Sequence, residues 1–200
     1  DDAVSVRNRE AHQLFIRLLN LPEFRDEYIN RMMVYLGDFC KPSVTLPMVK
    51  RMRDEIADEV APTFDIMTES LDYERDFLQV IDNRLIPYCQ IRPLLLYGNL
   101  NSTFHLNGVY LMTVQGADSI NGIRLTEGDF DGCCFYPKPV TLSADSLYGW
   151  ELTVTHTDST RNTYRFESPR ITFLPSDFGD DLDAFDCTIK PLSEDRKSVV

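Results

Sequence analysis

The feature that most constrains this chain is a change of apolar period close to residue 106. Before that point apolar residues recur every three or four positions: Ala11, Leu14, Phe15 and Leu18; Phe24, Tyr28, Met32, Tyr35 and Leu36; Val49, Met52, Ile56 and Val60; Phe77, Ile81, Leu85 and Tyr88. An α-helix turns once in 3.6 residues, so this spacing lines single faces and predicts four amphipathic helices. The punctuation agrees. Pro22 stands at a helix start, Thr45 ahead of Pro47 reads as an N-cap, Pro62 stops the third helix, and Pro93 divides the fourth from a last apolar stretch over Leu94 to Phe104. Connectors this short make the helices antiparallel neighbours.

After residue 106 the period falls to two, over Val109 to Val114, Val140 to Ala144, Leu152 to Thr155, Tyr164 to Phe166 and Ile171 to Leu174, with a further possible strand at Phe185 to Ile189. Successive strand residues point to opposite faces, so these runs predict half-buried strands. Asn107-Gly108, Asn121-Gly122, Gly128 and Asp131-Gly132 supply positions where a positive φ is cheap and read as turns. The expectation is an α+β chain: an antiparallel helical bundle of four to five helices over 1–106, a small antiparallel β-sandwich-like module over 107–192, and a loosely held tail over 193–200. No long low-complexity linker separates the halves, so the module is expected to pack on the helices.

Charge narrows the function classes. Asp and Glu number 32 against 20 Lys and Arg, for a net charge of −12 spread over both halves. A phosphate backbone needs a basic stripe, so nucleic acid is not an expected partner. No run of apolar residues is long enough to predict a membrane span, and no signal peptide is visible. Five cysteines, Cys40, Cys89, Cys133, Cys134 and Cys187, show no CxxC spacing and read as ordinary buried or half-buried thiols. Cys133 and Cys134 are adjacent on an apparent strand, point to opposite faces, and are poorly placed to pair; one of them is expected to face the core.

Candidate chemistry is sparse, and no catalytic, cofactor-binding or metal-ligating residue is predicted. Asp177-Phe178-Gly179 imitates a kinase tripeptide, but no Gly-rich loop, strand lysine or His-Arg-Asp loop precedes it. Asp177, Asp180, Asp181, Asp183 and Asp186 lack the ligand spacing and closing glutamate of a calcium loop and read first as a solvated acidic loop. Gly128-Asp129-Phe130-Asp131-Gly132 reads first as a turn between strands. His12, His105 and His156 lie far apart with no partner at ligand spacing, and Asp1 and Asp2 read as a solvated end. Asn101-Ser102-Thr103 fits a glycosylation acceptor and is read as a helix end. Tyr148 and Trp150 beside Phe135 and Tyr136 fit either a sugar-stacking platform or core packing, with core packing the first reading.

The run from Leu14-Phe15-Ile16-Arg17-Leu18-Leu19-Asn20-Leu21-Pro22-Glu23-Phe24 to Tyr28-Ile29-Asn30-Arg31 resembles a helical signature of the spore-coat-protein-H (CotH) kinase family. Val49 to Ala61 and Ile91-Arg92-Pro93 are similar to two further elements of that family. Thr68-Glu69-Ser70-Leu71-Asp72 departs from it, standing where a tryptophan-bearing segment is common. Ile120-Asn121-Gly122-Ile123, Phe135 to Ala144 and Gly149-Trp150 resemble a β appendage found after the kinase-like region in bacterial surface proteins.

The resemblance implies that the phosphate-binding lysine and the metal-binding and catalytic aspartates lie upstream of Leu14, where this sequence has only thirteen residues. It therefore implies a non-catalytic C-terminal portion with no cofactor of its own, ATP and magnesium being expected for the full-length family member. Its partners would be an N-terminal catalytic lobe and a protein substrate or surface glycan, at a secreted or cell-surface location. The alternative is a protein- or carbohydrate-binding adhesion module of a bacterial surface protein. Phe24, Arg31, Arg92 and Trp150 are expected to act structurally.

Overall fold

The computed structural model describes residues 13–67, 71–145, 148–178 and 186–192. The chain is α+β. Its helical half comprises α1 (13–19), α2 (Pro22–Gly37), α3 (Pro42–Met67) and α4 (Ile86–Phe104), with two π-helical turns at Glu74–Leu78 and Ile81–Leu85 leading into α4. Pro22 does open α2. The other prolines behave differently from expectation. Pro47 and Pro62 both lie inside α3, and Pro93 lies inside α4, so neither Pro62 nor Pro93 ends a helix. An internal proline removes one i to i−4 hydrogen bond and costs about 3 kcal/mol, a local loss that leaves the remaining ladder intact. Thr45 is within α3 rather than capping it, and its hydroxyl donates back to the Lys41 carbonyl at 3.2 Å.

The strands are β1 (Val109–Val114), β2 (Ser119–Ile120), β3 (Ile123–Arg124), β4 (Phe130–Phe135), β5 (Val140–Ser143), β6 (Trp150–Thr155), β7 (Arg161–Phe166), β8 (Arg170–Phe173) and β9 (Asp186–Pro191). They form a five-stranded sheet of order β4-β1-β9-β6-β7 and a four-stranded sheet of order β3-β2-β5-β8. The expectation of an all-antiparallel module is corrected at one pairing. β9 runs parallel to β1, with Leu111 opposite Asp186 and Val114 opposite Ile189. A parallel pair needs a long crossover and leaves no turn signature nearby, and here more than 70 residues separate the two strands.

A second correction concerns Asp131-Gly132, which is not a turn but the middle of β4. The chain reverses earlier, at Gly128 with φ of 78°. Asn121 and Gly122, with φ of 50° and 76°, make the two-residue β2–β3 hairpin that their pairing suggests.

The inward faces of the two sheets and two of the helices supply one core. The five-stranded sheet contributes Tyr110, Met112, Phe130, Trp150, Leu152, Val154 and Ile189; the four-stranded sheet contributes Ile120, Leu142 and Phe173. Ile29, Met33, Val34 and Leu36 of α2 and Tyr97 and Leu100 of α4 join the same cluster. Helices α1 and α3 stand apart: neither includes a buried residue among those whose side chains are described.

Candidate functional site

The singled-out residues are mostly used for structure. Asp177 closes a local turn, its carboxylate accepting from the Leu174 backbone N–H at 2.8 Å, and Phe178 fills a buried position between Tyr164 and Phe173 at ring separations of 4.9 and 5.5 Å. The kinase-like tripeptide thus begins as a core plug, while Gly179, Asp180, Asp181 and Asp183 lie outside the described residues, as do Asp1, Asp2 and His12. His105 ends α4 in the left-handed region, and His156 meets Asn162 at 3.1 Å across the β6–β7 turn. Asn101 sits in the last turn of α4, where its side-chain oxygen accepts from the Gly108 N–H at 3.0 Å. Trp150 is fully buried, with its indole N–H donating to the Pro169 carbonyl at 3.2 Å, and Phe135 is equally buried. No aromatic platform forms from that group, since only Tyr148 of the four is exposed.

Both Cys133 and Cys134 are buried, although they point to opposite faces of β4. β4 is the edge strand of its sheet, and α2 and α4 lie against it, so both of its faces are covered. Burial pushes the Cys133 and Cys187 thiols up to about 12 and raises Cys134 as well. A thiol in that state holds its proton and is a poor nucleophile.

At the helix–sheet junction Tyr97 makes the connection. Its hydroxyl donates to the Met33 carbonyl of α2 at 2.7 Å, and its ring lies against Phe135 of β4 at a centroid distance of 6.1 Å. Burial raises the Tyr97 phenol well above its ordinary value, so it stays a donor at any physiological pH. Gly132 is required beside it. A Cβ there would overlap the Tyr97 hydroxyl and lie 2.7 Å from Gly37 Cα. Two buried charges complete the junction. Asp38 accepts from the Thr126 N–H at 3.0 Å and from its hydroxyl at 2.8 Å, and the Lys41 ammonium donates to the Asp129 carbonyl at 2.8 Å. The α2–α3 link therefore holds the loop that delivers β4.

The outward face of the five-stranded sheet carries a concave surface. Three depressions run across it and share lining residues. The first, about 230 Å³, lies between α4 and β1 and is lined by Pro42, Pro93, Leu94, Leu111 and Asp131. Leu111 and Asp131 also line the second, about 180 Å³, which reaches Thr113 and Thr188. Thr188 then opens onto the third, about 390 Å³, bounded by Glu151, Thr153, Thr155, Arg161 and Lys190.

Register explains the floor of this trough. Thr113 is opposite Thr188, Thr188 opposite Thr153, and Thr153 opposite Thr163, so four threonines form one row across four strands. Neighbouring hydroxyls in that row meet at 3.3 Å between Thr113 and Thr188 and again between Thr153 and Thr163. Alongside runs a charged row, Lys190–Glu151–Arg165, in which Arg165 reaches Glu151 at 3.1 Å. Thr153 falls within the run Leu152 to Thr155 that the period of two predicts as a strand, whereas Thr163 lies one residue ahead of the run predicted from Tyr164. Their alignment depends on the insertion of β9, which no local period encodes.

Among the described residues no group of three or more His, Cys, Asp or Glu gathers as a metal-holding cluster, and no helix is long and apolar enough to cross a membrane. Comparison with protein-family models, with curated proteins and with solved structures returns no match for the chain.

Proposed function

We propose that this chain is the non-catalytic C-terminal portion of a CotH-like protein kinase. In this reading residues 1–106 form a helical bundle that seats against an upstream catalytic lobe, and 107–192 form a sandwich-like appendage that helps dock the protein substrate. ATP and magnesium belong to the upstream lobe, and the assembly works outside the cell or at its surface.

One observation carries the reading. The large hydrophobic residues exposed among the described ones lie almost all between residues 14 and 95, with only Leu111, Tyr148 and Leu174 beyond. Met48, Met52 and Ile56 repeat at helical spacing along α3, and Tyr88, Ile91 and Leu95 do so along the start of α4. Rows of exposed apolar side chains of this kind mark candidate interaction surfaces. The 26-residue α3 carries two internal prolines and is only half-buried against α4 and the π-helical turns, where Phe64 meets Tyr73 and Phe77, so its outer apolar face is open to a partner. The adhesion alternative has less support, because its expected aromatic patch is mostly core.

Titration calorimetry with ATP and magnesium tests the division of labour. The chain alone is expected to give no heat, and a form extended upstream is expected to bind. Nucleotide binding by the chain alone would sink the proposal. A separately expressed upstream segment should also bind this chain, and Met52→Glu with Ile56→Glu should abolish that binding while leaving stability within about 0.5 kcal/mol, as for exposed positions generally.

A further inference from the structure

We propose that the Asn107–Gly108 peptide, at the passage from α4 into β1, is a site of spontaneous deamidation that the side chain of Asn101 holds in check. The inference is independent of any upstream lobe, since it concerns only a bond of this chain.

The chemistry is that of an Asn-Gly pair. The backbone nitrogen of the glycine gives up its proton and attacks the side-chain carbonyl carbon of the asparagine. A carbon–nitrogen bond forms, closing a succinimide ring, while the bond to the side-chain nitrogen breaks and that nitrogen leaves as ammonia with the proton. Water then opens the ring to aspartate or to isoaspartate, in which the main chain runs through the former side chain. Glycine favours the attack because it places no Cβ in its path. Two conditions govern the rate: the asparagine side chain has to be free to swing over its own main chain, and the glycine N–H has to be free of a partner.

The sequence contains two Asn-Gly pairs, and the fold treats them differently. Asn121 fails the first condition. Its side-chain oxygen accepts from the Thr141 N–H at 2.7 Å, and its side-chain nitrogen donates to Asn30 at 3.4 Å. Its backbone N–H donates to the Thr141 carbonyl at 2.8 Å, so the whole residue is fixed in the β2–β3 turn. Asn107 is exposed, and its side chain has no hydrogen-bond partner among the described residues. Only its neighbour resists: the Gly108 N–H donates to the Asn101 side-chain oxygen at 3.0 Å.

The end of α4 builds that brake. The Asn101 carbonyl accepts from the His105 N–H and, at 3.1 Å, from the Leu106 N–H, which draws the exit of the helix back over its last turn. Positive φ values of 54° at His105 and 59° at Asn107 turn the chain on either side of buried Leu106, and Gly108 arrives beside Asn101. A single neutral hydrogen bond shifts an equilibrium by roughly tenfold at most, so the restraint slows the reaction without abolishing it.

The product falls where the structure has no slack. The Gly108 carbonyl accepts from the Tyr136 N–H at 3.2 Å, and the Tyr110 hydroxyl lies 3.1 Å from where a Gly108 Cβ would stand. Isoaspartate lengthens the main chain at that point and displaces the start of β1, the strand between β4 and β9. Deamidation is thus a one-way change at the helix–sheet joint, and it adds a negative charge to a chain already at −12.

The test incubates the full chain at pH 8, folded and in urea, and follows both Asn-Gly peptides by mass spectrometry, with fragmentation separating isoaspartate from aspartate. Urea gives the unrestrained rate of each pair. In the folded chain Asn107 is expected to convert ahead of Asn121, at about a tenth of its rate in urea. Asn101→Ala should raise the Asn107 rate about tenfold and leave Asn121 unchanged. Asn101→Asp, which keeps an oxygen at the same place, should hold Asn107 near the wild-type rate.

Conversion of Asn121 first, or an Asn107 rate indifferent to Asn101→Ala, overturns the proposal. Equal acceleration at both pairs overturns it as well, because that reports a loosened fold rather than the loss of one acceptor. Should Asn101→Ala not fold, the wild-type comparison still decides: Asn107 as slow as Asn121 in the folded chain refutes the assignment.

Discussion

Replacing Tyr97 with Phe removes one oxygen from the helix–sheet junction and nothing else. The ring keeps its packing, including the contact with Phe135 at a centroid distance of 6.1 Å. What is lost is the donor to the Met33 carbonyl. A buried intramolecular hydrogen bond contributes about 1 kcal/mol net, so we expect a loss near that value. In a chain of this size that corresponds to roughly 2 to 4 °C in the melting temperature. Urea denaturation is the direct assay, because Trp150 is the sole tryptophan and is fully buried, so its emission reports opening of the core. The slope of stability against urea should not change, since the same surface is exposed on unfolding. A loss below about 0.5 kcal/mol would refute the reasoning, for it would place Tyr97→Phe in the range of ordinary surface substitutions.

Three further outcomes follow from the burial of thiols and of Asp38. Burial holds the Cys133 and Cys187 thiols protonated up to about 12 against an ordinary 9.0, so the folded chain binds protons that the unfolded chain releases. Their contribution to stability is complete below pH 9 and declines as pH rises toward 12; a denaturation midpoint no lower at pH 10.5 than at pH 8 would contradict this. In the folded state a thiol reagent at pH 8 should modify the half-exposed Cys40 and Cys89 ahead of the buried three, as mass spectrometry of the peptides would show. Asp38→Asn should cost about 1.5 to 3 kcal/mol, because the charge that accepts both Thr126 bonds is lost from a site only 3% exposed. A double-mutant cycle with Thr126→Val measures the coupling, and additive losses would show that the pair does not act together.

Local pattern carried much of the fold. The period of 3.6 in Phe24 to Leu36 belongs to a helix, but its buried face is Ile29, Met33 and Leu36, one position on from Phe24, Tyr28 and Met32, and Tyr35 is exposed; the period of two in Leu152 to Thr155 belongs to a strand with alternating burial. The prolines misled because a proline's local penalty is judged against a helix of unknown length. Pro62 and Pro93 stand in long helical runs that persist on both sides. Asp131-Gly132 reads as a turn by composition, yet Gly132 is small for a tertiary reason, the close approach of Tyr97 and Gly37. The two adjacent cysteines are both buried because helices wrap the sheet edge, and no spacing within β4 encodes that wrapping. The trough was illegible for the same reason: its residues come from β1, β4, β6, β7, β9 and the helices, and only the assembled register brings them into one line.

The position of β9 has a consequence for how the chain reaches this state. Strands β4 and β1 on one side, and β6 and β7 on the other, can each form by local antiparallel pairing, but they become a single sheet only when Asp186–Pro191 enters between them. During synthesis the two halves must wait, with the flank of β1 and the flank of β6 open to solvent and to one another, until Asp186–Pro191 has been made. This strand acts as the wedge that locks the arch, so a frameshift or cleavage ahead of Asp186 would leave two unjoined antiparallel pairs with sticky edges rather than a slightly smaller sheet.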